Sequence, residues 1–259
     1  MIETRMRNFA VLTVVALVSL VPPGAMGQAG SFTIAQHGKT VGTAEYNFTS
    51  TPHGYSSTSV VRIAMQGLNY ALSKTESLSP ANHLRHVQVS ATVNNSAVNL
   101  TAAVDAAQYL LNVSANGKSA TSRLALHTGA VFLPDFDPGA LETLLSLAVT
   151  QNNRNLWAIL PKQLGSAVGS IEPVELATYA DEQGTLDGTA VTVHHLVATI
   201  AGAQTDLFSG PENQLLQAEL PQDGFAMVRK GFVLTPPKKP GAPPVPPPAP
   251  VATPGAVQQ

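Results

Sequence analysis

Two adjacent histidines, His194 and His195, stand in the run TVHHLVATI, with Asp206 and Ser209 a few residues downstream. A serine hydroxyl, an imidazole and a carboxylate can hydrolyse an ester when they are hydrogen-bonded in series. The run around the histidines is apolar and β-branched, so a strand is predicted, and successive side chains of a strand point to opposite faces. One metal ion therefore cannot take both rings. A hydrolase would use His194 or His195, not the pair, with Asp206 and Ser209. His83 and His86 have the spacing of a helix face but open a run that alternates as a strand, where positions three apart diverge.

Asp135 and Asp137 in LPDFDPG could offer two carboxylates to a cation, but a helix with Pro138 in its first turn favours Asp137 as its cap. The stretch DEQGTLDG at 181–188 lacks the ligand order of a calcium loop and falls where a hairpin turn is needed. No serine stands in G-x-S-x-G, and neither S-x-x-K nor H-E-x-x-H occurs. The absence of cysteine removes disulfides, thiol catalysis and cysteine metal sites. No catalytic residue, metal ligand or cofactor is assigned from motifs. The reading leans away from an enzyme and keeps the hydrolase as an alternative.

The elements that must position these residues are mostly strands. HLRHVQVSATV, SAVNLTAAVD and QYLLNVSA alternate apolar and polar residues, with Asn94-Asn95 and Asn116-Gly117 at hairpin positions. Before them, SFTIAQ, KTVGTAEYNF, GYSSTSVVRIAM and LNYALSKTESL read the same way; after them come SIEPVELATYA, the histidine run, QTDLFSG, NQLLQAELP and GFAMVRKGFVL. One segment has helical period. In 139–152, Leu141, Leu144, Leu145 and Ala148 form one stripe, so a helix is expected to cover the sheet or plug an open barrel.

The chain begins with Arg5 and Arg7, the apolar run from Phe9 to Val21, Pro22-Pro23, and small residues up to Gly27. This is the pattern of a signal peptide at 1–27, and the run is shorter than the roughly 20 residues a spanning helix needs, so no transmembrane anchor is expected in the mature chain. A single domain is expected at 28–234, with 10 Lys plus Arg against 15 Asp plus Glu and no basic cluster, which disfavours nucleic acid as a partner. The proline-rich stretch 235–259 is read as a disordered tail, available to a protein partner. The protein is expected to be exported, to the periplasm or beyond.

The segment 205–234 resembles the C-terminal part of uncharacterised bacterial periplasmic proteins, through Asp206, Leu207, Phe208, Leu215, Pro221, Gly224 and Arg229. That group is similar in fold to lipoprotein carriers. The resemblance implies a long curved antiparallel sheet around one or more helices, with an apolar concave face. It implies no catalytic residues.

The combined expectation is a mainly β (α+β) protein, a curved antiparallel sheet forming a partly closed half-barrel around one helix. Its expected function is to bind a lipid, another hydrophobic ligand or a protein partner on the concave face. Tyr46, Phe48, Trp157, Phe225 and Met227 are the candidate ligand-binding residues. A purely structural envelope role is the remaining alternative.

Overall fold

The computed structural model describes residues 28–152, 155–162 and 168–236. The expected signal peptide and all of the tail after Pro236 lie outside them. The first half is an antiparallel meander of β1 (Ala29–Gln36), β2 (Lys39–Thr51), β3 (Gly54–Met65), β4 (Leu68–Leu78), β5 (Leu84–Val93), β6 (Ser96–Asp105), β7 (Gln108–Ala115) and β8 (Lys118–Ala125). Asn94-Asn95 and Asn116-Gly117 all have positive φ, the backbone that matches a two-residue turn to the strands' right-handed twist.

The short β9 (Ala130–Phe132) leads into α1 (Pro138–Leu145), which continues as one wider π turn over Ser146–Thr150. The single helix expected over 139–152 is therefore divided. Gln151 N–H donates to Ser146 O, five residues back, so the hydrogen-bond ladder slips by one residue. β10 (Leu156–Pro161) lies parallel to β9, a pairing that a wholly antiparallel expectation did not include. From β10 the sheet runs antiparallel through β11 (Gly169–Thr178), β13 (Thr189–Ile200), β14 (Ala203–Ser209), β15 (Leu215–Leu220) and β16 (Phe225–Arg229). β16 then pairs with β1 and joins both halves into one sheet. The sheet is not closed into a barrel.

The expected turn at 181–188 is mostly strand. β12 (Glu182–Leu186) pairs with the first half of β13 on one edge and with β17 (Phe232–Leu234) on the other, leaving only Asp187-Gly188 as the turn. Pairing with a strand almost fifty residues away overrides the local turn chemistry of the segment. The ladder also continues past the expected domain end at 234, since Thr235 N–H donates to Gln183 O.

The helix is enclosed, not laid on a surface. All eight residues of α1 are buried, including Glu142 and Thr143, and it touches β2, β3, β9 and β15. Its first turn presses against β3 at Gly139, where a Cβ would come 2.5 Å from Ser59 Oγ. Asp137 caps it, Oδ1 accepting from Gly139 N at 2.9 Å and Ala140 N at 3.3 Å. Asp137 Oδ2 lies 2.6 Å from Lys74 Nζ, which also donates to Glu76 Oε2 at 3.1 Å, and none of these three side chains is exposed. At the other side, Glu142 Oε2 accepts from Leu215 N–H at 2.7 Å. One helix is thus fastened to β4 and to β15.

Removing one member of a buried ionic group strands the charge of the others, which typically costs about 3–5 kcal/mol. Lys74→Met leaves Asp137 and Glu76 without a cation. It is expected to lower the unfolding free energy by about that amount, measured by urea denaturation with circular dichroism.

Candidate functional site

The alternation of the strands sorts every candidate residue onto one of two faces. On the concave face, Val61, Ile63, Leu72, Leu100, Leu111, Leu196, Ile200 and Leu207 join the helix in the main core. On the convex face, Val193, Phe208, Leu216 and Phe232 form a second, smaller core beneath β12 and β17. His194 is directly across from Ser209 on the concave face, and His195 across from Phe208 on the convex face.

His195 is held on its own side. Nε2 lies 2.8 Å from Asp206 Oδ1 and Nδ1 lies 3.5 Å from Glu182 Oε1, while the ring stacks between Tyr179 and Phe208. His194 Nδ1 lies 2.9 Å from Asp181 Oδ1. The trio considered for a hydrolase is therefore split by the sheet: Asp206 serves His195, and Ser209 shares a face with His194. Ser209 Oγ is buried and has no hydrogen-bond partner. Asp181 was missed because its segment read as a turn. The signal was present, since a hairpin centred on Asp187-Gly188 that pairs Glu182 with Val193 sets residue 181 opposite residue 194.

Cavities open at both ends of the helix. Near its N-terminus, the segment Leu133–Phe136 crosses the concave side and separates an apolar cavity of about 180 Å³ from one of about 70 Å³. Leu141, Leu160, Ile200, Leu220, Phe225 and Met227 line the larger; Tyr70, Leu72, Val98 and Phe132 line the smaller. Phe136 lines the larger, its ring 4.8 Å from that of Phe225 and 6.4 Å from that of Tyr70, while Pro134 and Asp135 line both. Its φ is 58°, a conformation that costs a bulky residue about 1–3 kcal/mol. Beyond the C-terminal end of the helix lies a cavity of about 590 Å³, which includes Asp181, His194 and Ser209 in its lining.

Two of the five candidate ligand-binding residues, Phe225 and Met227, line the larger apolar cavity. Tyr46 is packed in the core between Phe32 and Phe48, with Phe48 partly buried at its edge. Trp157 stacks on His127 with 3.8 Å between ring centres. The ionic group of Lys74, Glu76 and Asp137 was also missed, although alternation in LNYALSKTESL already aligned Lys74 and Glu76 with Tyr70 and Leu72. His83 and His86 make no shared site, and no group of three or more His, Asp or Glu side chains among the described residues is arranged to hold a metal. No helix among them is long and apolar enough to cross a membrane. No family model matches the sequence, and no curated protein or solved structure matches the chain.

Burial raises the pKa of Glu76, reinforced by the Asp137 carboxylate and opposed by Lys74. Burial also raises that of Glu142, against the opposing hydrogen bond from Leu215. An acid whose folded pKa lies above its unfolded value contributes stability that is fully present below the unfolded pKa, and that stability is lost as pH rises through the folded pKa. Stability is therefore expected to fall as pH rises from about the ordinary glutamate value of 4.5. Glu76→Gln, which keeps the shape of the protonated acid, is expected to flatten that decline in denaturation midpoints measured between pH 4.5 and 7.5. An unchanged slope would count against a raised pKa at Glu76.

Proposed function

We propose that this is an exported, non-enzymatic protein that holds a hydrophobic ligand, such as the end of a lipid acyl chain, at the apolar mouth beside the helix N-terminus. The observation that carries the reading is the pair of apolar cavities flanking Leu133–Phe136, bordered by side chains that are only partly buried: Leu133, Phe136, Leu160 and Leu220. A monomer gains nothing by leaving such a concave apolar surface open to water, and clefts of this composition are the usual form of a small-molecule site. Export follows from the N-terminal pattern, and the likeness of residues 205–234 to periplasmic proteins supports the same location. The proline-rich tail would act as a spacer or as a ligand for a partner's aromatic groove.

The larger cavity alone is comparable to the roughly 150 Å³ that holds a benzene ring, so a chain longer than a few carbons must occupy both cavities. Pro134 and Asp135 lie at both cavities, and Phe136 lines the larger one in a strained backbone.

Ala203 is exposed at the rim of the larger cavity. Ala203→Phe places a ring across the opening and is expected to weaken binding of the fluorescent apolar probe N-phenyl-1-naphthylamine roughly tenfold, about the loss of one buried apolar side-chain equivalent, with the unfolding midpoint unchanged. Phe136→Gly accepts the positive φ and enlarges the larger cavity, and it is expected to tighten probe binding several-fold. Failure of the wild-type protein to bind the probe, together with purified material that yields no lipid on extraction, would sink the carrier reading.

A further inference from the structure

The cavity of about 590 Å³ beyond the C-terminal end of the helix differs from the apolar mouth in both size and chemistry. Its volume lies in the roughly 300–1,000 Å³ range of small-molecule sites. Leu156, Val174, Leu176 and Leu196 supply an apolar wall from β10, β11 and β13. The π turn closes another side with Ala148 and Val149.

The polar side of the cavity combines Asp181 and His194 with the amides of Asn152 and Asn213 and the hydroxyl of Thr178. Asp181 is the charged side chain that the described lining turns to this face, since Glu175 alternates to the other face opposite Thr199. The side chain of Asp181 is 52% exposed while one of its oxygens meets His194 Nδ1. With a neutral imidazole, Nδ1–H donates to Asp181 and Nε2 is left as a further acceptor. Ser209, across the strand pair from His194, belongs to the same lining, and its hydroxyl is buried without a hydrogen-bond partner. The Asp181 carboxylate, the imidazole acceptor beside it and the apolar wall together suit a positively charged group on a hydrophobic body.

We propose that this cavity is a second binding site, separate from the apolar mouth, for a cationic amphiphile: an ammonium group beside Asp181 and His194, with its hydrocarbon body along Leu156, Val174, Leu176 and Leu196. The two sites share the concave face but not their residues, and the helix lies between them.

Three eight-carbon probes of matched shape test this at pH 8 and low salt, where an alkylamine is protonated: octylamine, octanol and octanoate, titrated into the full chain by calorimetry and followed by amide chemical shifts. Octylamine is expected to bind tightest and octanoate weakest, with shifts at Leu176, Asp181 and His194. Asp181→Asn is expected to weaken octylamine roughly threefold to fivefold and leave octanol unchanged, as suits a half-exposed ion pair, and added salt should reduce the same advantage. Ala148→Phe, which fills the cavity, is expected to remove binding of octylamine, while Ala203→Phe at the other mouth leaves it intact. Octanoate binding as tightly as octylamine would overturn the proposal, as would indifference to Asp181→Asn. Loss of octylamine binding in Ala203→Phe would assign the amine to the apolar mouth instead.

Discussion

Lys74 has no water to carry its charge. Its ammonium group is completely buried and rests on Asp137 and Glu76, and Asp137 is at the same time the cap of the only α-helix among the described residues. That single contact ties together the centre of the sheet, the start of the helix and the segment Leu133–Phe136 that borders the apolar cavities. Glu142, one turn later, fastens the helix to the far side of the sheet through Leu215 N–H. A helix of eight residues is marginal by itself and forms here because its ends and flanks are held. The chain has no cysteine, so no disulfide shares in fixing the helix, and these buried polar contacts hold its position.

The helix is held at its start by the Lys74–Asp137 contact and at its other end by Asn82 Nδ2 donating to Ser146 Oγ, and the two ends meet different residues. The hairpin tips near the helix N-terminus carry apolar side chains inward from β13, β15 and β16. At the opposite end the sheet edge carries Asp181, His194 and Ser209. The contrast arises from where each strand ends, not from any change in its alternation. β13 shows this within one strand, since Ile200 lies at the apolar mouth and His194, six residues earlier on the same face, lies at the polar one.

Much of this was legible in the sequence for a physical reason: a period of two survives wherever one face of a strand is buried. The strands of the meander, the Asp137 cap and the opposite facing of His194 and His195 all follow from local rules, and so does the division of Val193 from Leu196 and Ile200 between two cores. What local rules do not carry is the partner across a long loop. β12 is a strand because β17 lies beside it, and the parallel pair of β9 with β10 depends on the helix returning the chain between them. Asp181 was hidden for the same reason, as its role depends on a hairpin register and not on its neighbours in sequence.

The histidine pair shows how a sheet can separate groups that sequence places together. His194 and His195 are adjacent, yet their carboxylate partners come from opposite directions, Asp181 from the strand before and Asp206 from the strand after. His195 is the more enclosed ring, 16% exposed against 42% for His194, and each has a carboxylate partner. His195, stacked between Tyr179 and Phe208, joins β13 to β14 through the hydrogen bond of its Nε2 with Asp206, with Glu182 3.5 Å from Nδ1. His194 engages only one nitrogen with Asp181 and keeps the other beside a cavity. The functional difference between the two therefore follows from the pleat: the same residue, one position along, becomes part of the wall on one face and part of a site on the other.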